Sequence, residues 1–223
     1  VHIVKNDRSF YDLGMPRVSP EHAEARRRQI LDAARACFLR DGFHQTSMTD
    51  IQREANLSAG AIYLYFKSKN DIILGIARNI LGTIGELIPE KPLFDGREVS
   101  LPEIVTGFLR MAEALNAESS VFPLALQVWA EAIRNRDVLH SLQTDIADVK
   151  RRIRGLIEVC QERGIVARDV DPDALVMAML GLAQGYIIQR SLFEETVLEQ
   201  YLAGVEALML NAARIRPEIS DTD

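Results

Sequence analysis

The stretch that most constrains this chain is Ser47–Lys69: Ser-Met-Thr-Asp-Ile-Gln-Arg-Glu-Ala-Asn-Leu-Ser-Ala-Gly-Ala-Ile-Tyr-Leu-Tyr-Phe-Lys-Ser-Lys. It predicts two short helices joined by a tight turn. Ser47 is a favourable N-cap, and Asp50, three residues on, is placed to reach back to it. Ile51 and Ala55 then share one face at i,i+4 spacing. Asn56-Leu57 interrupts the run, and Ser58 caps a second helix whose inward residues are Ile62 and Phe66. Ala59, Gly60, Ala61, Tyr63, Leu64 and Tyr65 are left mostly outside. A solvated helix would carry Lys and Glu on that face. This one carries small residues and tyrosines, which suits a surface that meets a partner.

The rest of the chain reads as helix throughout, with no strand signal, so the fold class is all-α. Residues 1–19, with Gly14 and Pro16, show no clear period and predict an extended arm. Met15-Pro-Arg-Val-Ser has the composition of a native start, and the sequence alone leaves the status of residues 1–14 open. Ser19-Pro20-Glu21 supplies a cap, a first-turn proline and an acid for a helix running to about Asp41. Its apolar stripe is Ile30, Leu31, Ala34, Cys37 and Phe38, and Gly42 stands where such a helix stops. Cys37, lying on that stripe, reads as a buried structural thiol. Phe43 is expected to fill the core of this small unit.

A fourth helix is predicted from Lys67-Ser68-Lys69 to about Leu87, followed by a loop with Pro89, Pro92, Gly96 and Pro102. Further helices are predicted over residues 101–117 and 121–135, the second capped by Ser119 or Ser120. A long helix runs from Asp137 to Gly164, another follows Asp171-Pro172-Asp173 to about Phe193, and a last covers about 196–213 before a polar tail.

Charge is split along the chain. Its net value is −6, which alone speaks against nucleic acid. Residues 17–87, however, hold ten Lys/Arg against eight Asp/Glu, so a weakly basic N-terminal part is joined to an acidic remainder. Arg26-Arg27-Arg28 concentrates part of that positive charge. The two cysteines lack metal spacing, fitting a reducing, cytoplasmic setting without a disulfide framework. No apolar run reaches membrane-spanning length, and no cleavable leader opens the chain. A Gly-rich phosphate loop, an HExxH pattern, a Cys/His cluster and a credible Ser-His-Asp pattern are all missing, so an enzyme is not expected, nor a metal or cofactor.

Residues from about Ile30 to Ile76 resemble the DNA-binding head of the TetR family of transcriptional repressors. The likeness rests on Ala33, Ala34 and Phe38, Gly42-Phe43, Ser47 with Ile51 and Ala55, Leu57-Ser58, Gly60, Ile62-Tyr63, Tyr65-Phe66, Ser68 and Lys69. It implies an arm (1–19), a helix-turn-helix DNA-binding domain (20–66), a connecting helix (67–88) and a helical effector-binding and dimerisation domain (89–223). The partners implied are double-stranded operator DNA, a small-molecule effector and a second copy of the chain. The resemblance places Ser47, Ser58, Tyr63, Tyr65 and Lys69 on phosphates. It places Thr49, Ala59, Gly60, Ala61 and Leu64 nearest base edges. With small residues leading the entering helix, thymine-methyl contacts and DNA shape should specify more than bidentate hydrogen bonds do.

The resemblance also implies dimerisation through the last two helices, with Gly181, Gly185, Leu198, Leu202, Val205 and Met209 as candidates. A small-molecule cavity in the middle helices is implied as well, with Phe108, Met111, Phe122, Gln127, Trp129, Met177 and Tyr186 as candidate walls. A small, mainly apolar ligand is the expected effector of a repressor. Two alternatives stay open from sequence: a ligand-responsive activator, and a helical small-molecule-binding protein or enzyme whose head does not bind DNA.

Overall fold

The protein's structure, a computed structural model, describes residues 19–88 and 99–212. The expected arm except Ser19, the Pro89–Gly96 loop and the polar tail lie outside them. Among the described residues there are nine helices and no strand. In chain order they are α1 (Pro20–Asp41), α2 (Met48–Ala55), α3 (Ala59–Tyr63), α4 (Lys69–Leu87), α5 (Leu101–Ser119), α6 (Val121–Arg134), α7 (Arg136–Glu162), α8 (Pro172–Leu192) and α9 (Leu198–Ala212). None is long and apolar enough to cross a membrane.

Helix starts follow local chemistry. The Ser19 hydroxyl accepts from the His22 N–H at 3.2 Å, ahead of Pro20. Ser47 and Asp50 form a reciprocal capping box: Ser47 Oγ accepts the Asp50 N–H at 3.2 Å, and the Asp50 carboxylate accepts the Ser47 N–H at 3.0 Å. Ser58 and Ser68 cap α3 and α4 through the Ala61 and Asp71 N–H groups. Asp171 caps α8. The start of α6 differs from expectation. Ser120 is left-handed (φ 49°) and makes no side-chain cap; Asn116 Oδ1, from the preceding helix, accepts the Phe122 N–H at 3.1 Å. A residue at positive φ cannot adopt the β-region backbone that lets a serine cap its own helix.

The head is built on α1. Ile30, Leu31, Ala34, Cys37 and Phe38 are buried, and against them pack Ile51 and Ala55 of α2, Ile62 of α3, Phe66, and Ile72, Ile73 and Ile76 of α4. Phe43 is buried with its ring edge-on to Phe38, centroids 5.3 Å apart. Gly42 takes φ 80°, which a side chain would resist. Gly75 sits where α4 crosses α1, and a Cβ there would lie 3.0 Å from both Leu31 and Phe66. Burial pushes the Cys37 thiol above its usual pKa, so it stays protonated and inert.

Helices α4–α9 enclose the second core. Helix α6 belongs to both: Leu124 and Val128 are part of the head cluster, while Val121 and Phe122 join the body cluster. Polar links reinforce this seam. Arg35 donates to the Ser119 carbonyl at 2.6 Å, and Gln127 Nε2 donates to the Phe38 carbonyl at 3.1 Å. Arg134 Nη1 donates to His44 Nε2 at 3.3 Å. On the α4–α7 side, Arg78 grips both Asp145 oxygens, at 3.0 and 3.2 Å.

Candidate DNA-binding surface and internal cavity

Helices α2 and α3 meet through Asn56, which takes the left-handed conformation (φ 52°) that Asn tolerates better than most residues. With Ile62 and Phe66 turned inward, α3 presents Ala59, Gly60, Tyr63 and Leu64 to solvent. Tyr63 is 49% exposed and Leu64 83%. Ser47, Thr49 and Ser58 are exposed, and Ala61 is half-buried. Tyr65 is half-buried against the head core. Gly60 is helical, and an added Cβ would meet nothing within 4 Å. The fold itself therefore does not need glycine there.

Lys69 is engaged within the head. Its Nζ donates to the carbonyls of Phe43 (2.5 Å), Thr46 (2.7 Å) and His44 (3.3 Å), and lies 4.4 Å from the Phe43 ring centroid. An ammonium has three N–H donors, and all three point at the α1–α2 loop. Burial lowers the Lys69 pKa, with Glu131 acting the other way. In the basic triplet, Arg27 stacks 4.8 Å from the Phe66 ring centroid, Arg26 donates to Gln29, and Arg28 is exposed.

The body holds a cavity of about 300 Å³ between α4, α5, α6, α7 and α8. Phe108, Met111, Phe122 and Trp129 line it, as expected of wall residues. The other three expected wall residues lie elsewhere. Gln127 points to the head, where its Oε1 is buried without a hydrogen-bond partner. Met177 is 67% exposed. Tyr186 is wholly buried on its own polar contact, donating to Glu113 at 2.9 Å and packing on Tyr201. Burial and the Glu113 carboxylate push its phenol well above the usual value. Besides the Trp129 indole N–H, the cavity's polar side-chain groups among the described residues are Gln143 of α7 and Gln184 of α8. Neither carries a sequence signal, since a glutamine on a helix reads as a solvated residue.

The last two helices correct the expected dimer face. Leu202 and Val205 are buried in this chain's own core, so neither is available to a second copy. Leu198 and Met209 are partly buried against the same core, and Gly185 faces the Tyr201 hydroxyl. Gly181 is exposed. The exposed apolar residues are Met177, Ile188 (41%) and Leu192 of α8 and Leu208 (73%) and Leu210 of α9. Met177, Gly181, Ile188 and Leu192 fall on one helical stripe. Among the described residues, no group of three or more His, Cys, Asp or Glu could hold a metal ion.

Comparison with known proteins places these features. Residues 30–76 match the family model for bacterial regulatory proteins of the tetR family. The transcriptional regulator HbdR of an Aromatoleum strain is 26% identical over 174 residues, covering 78% of this chain and 74% of HbdR. The transcriptional repressor Rv1474c of Mycobacterium tuberculosis is 41% identical over 64 residues, which span only 34% of that protein. Among solved structures, Salmonella enterica GusR superposes with a TM-score of 0.71 at 24% identity, covering 88% of this chain and 98% of GusR.

Proposed function

The chain belongs to the TetR family of bacterial transcriptional regulators, and on that premise we propose that it is a repressor whose homodimer binds a palindromic operator and is released by a small, mainly apolar ligand. The observation that carries this reading is the double membership of α6. One side of the helix packs into the core of the DNA-binding head through Leu124 and Val128, and Phe122 and Trp129 line the cavity. A molecule that enlarges the cavity displaces α6, whose Gln127 is bonded to Phe38 of α1 beside the Arg35 bond from α1 to Ser119 at the end of α5, and so shifts the head.

Each side chain then has a role. The Ser47, Ser58, Tyr63 and Tyr65 hydroxyls hold phosphates and set register. Thr49, Ala59, Gly60, Ala61 and Leu64 lie nearest base edges. Lys69 shapes the loop behind them. The stripe of Met177, Gly181, Ile188 and Leu192, with Leu208, is the surface that pairs two copies. Induction requires the ligand to bind the DNA-incompetent arrangement more tightly, since equal affinity for both shifts nothing.

Repression is supported by the high identity of the head to a protein named a repressor. The test is a reporter fused to the promoter beside the protein's own gene, read with and without that gene, together with a mobility shift on the same DNA. A retarded band and higher reporter output on deletion are expected. Lower output on deletion makes the protein an activator, and absence of any band sinks the DNA-binding role.

A further inference from the structure

Among the described residues, all but two that line the cavity offer it hydrocarbon, thioether or indole, and no Asp, Glu, Lys, Arg or His is among them. The two exceptions, Gln143 on α7 and Gln184 on α8, are also the lining residues exposed to solvent. Val121, Phe122, Val128 and Met179, by contrast, are buried. The cavity therefore opens along its α7–α8 edge, which carries both of its amides; Gln184 borders the α8 stripe proposed to pair two copies, and Gln143 on α7 keeps the edge in contact with solvent. A charge pushed past it would lose its water and find, among the described residues, only the Trp129 indole N–H to pair with, which does not offset the loss.

We propose that this cavity takes an amphiphile tail-first. The apolar body lies against Phe108, Phe122 and Trp129, and the polar end stops between Gln143 and Gln184. Each carboxamide offers both a donor and an acceptor, so the pair receives a hydroxyl, a carbonyl or a carboxylate. A carboxylate is accepted because its charge remains in water. The volume, at the small end of ligand pockets, sets the class as a compact alkyl or aryl body with one polar terminus. This rests on the reading that the cavity is the effector site, and it fixes the orientation and chemistry of what enters.

Trp129 is the only tryptophan and lines the cavity, so its emission reports occupancy without a label. The full chain is titrated at neutral pH with decan-1-ol, with decanoate and with butylbenzene, which has no polar end. All three should change Trp129 emission, with decan-1-ol and decanoate binding within about tenfold of each other, since neither polar end is desolvated. Replacing both glutamines (Gln143→Leu with Gln184→Leu) should weaken decan-1-ol about threefold to tenfold for each hydrogen bond lost, and leave butylbenzene unchanged or tighter. The proposal is overturned if decan-1-ol binds while decanoate is at least about a hundredfold weaker, because the polar end is then inside. It is also overturned if the double substitution weakens butylbenzene as much as decan-1-ol. No response to any probe overturns the effector-site reading, and the orientation with it, while leaving DNA binding untouched.

Discussion

Replacing Lys69 by Met separates two roles for one residue. The substitution keeps the unbranched stem and removes the ammonium. In the structure that ammonium is the donor for the carbonyls of Phe43, His44 and Thr46 and sits over the Phe43 ring. Hydrogen bonds from a charged donor contribute about 1.5–3 kcal/mol each when desolvated. The His44 contact is long and exposed, and water can replace part of the other two. With about 0.5–1 kcal/mol for the cation over the ring, a total loss of about 2–3 kcal/mol is expected. For a chain of this size that lowers Tm by about 5–10 °C, read by far-ultraviolet circular dichroism. The DNA measurement is the discriminating half. If Lys69 holds a phosphate in each head, removing it lowers the slope of log K against log salt by about 1.8 for a dimer. If it only shapes the loop, the slope is unchanged, and affinity falls at all salt concentrations alike. An unaltered Tm with a shallower slope refutes the internal role.

Three further substitutions test other parts of the account. Gly60→Leu has room and a helical backbone, so stability should hold or rise by up to about 1 kcal/mol, while DNA affinity drops in a mobility shift; unchanged affinity would remove α3 from the interface. Ser47→Ala should cost about 1 kcal/mol at neutral pH, as lost N-caps do. The Ser47 hydroxyl and N–H hold the Asp50 carboxyl below its usual pKa. A depressed acid contributes stability above its unfolded pKa and loses it as pH falls through the folded value. The wild-type advantage over Ser47→Ala should therefore shrink below about pH 4 in denaturant titrations. Ile188→Glu puts a charge in the middle of the exposed α8 stripe and should give a folded monomer by sedimentation; a dimer of unchanged strength would move the interface elsewhere.

Much of the head was legible because its signals are local and redundant. Ser47 with Asp50 marks one helix start by spacing, and Ser58 marks the next by residue type. The i,i+4 pairs Ile51/Ala55 and Ile62/Phe66 fix which side is inside. Lys69 was less legible, since its partners are carbonyls 23 to 26 residues away. The body was legible as helices and not as faces. Helices α8 and α9 carry apolar residues all round, so spacing could not tell buried Leu202 and Val205 from exposed Leu208, nor Met177 from Met179. Tyr186 resembled a pocket wall because its partner, Glu113, is 73 residues distant. Gln143 and Gln184 gave no signal at all, because their meaning depends on a cavity that exists only once five helices pack.

In the proposed complex the exposed, uncharged face of α3 reads DNA as half of a two-fold pair. Selection of binding sites by the full chain from a random double-stranded pool tests it most directly. One enriched palindrome is expected, with half-sites one helical turn, about 34–36 Å, or a whole multiple of it apart, and it is not recovered with Gly60→Leu. An unenriched pool, or a single unrepeated half-site, would contradict it.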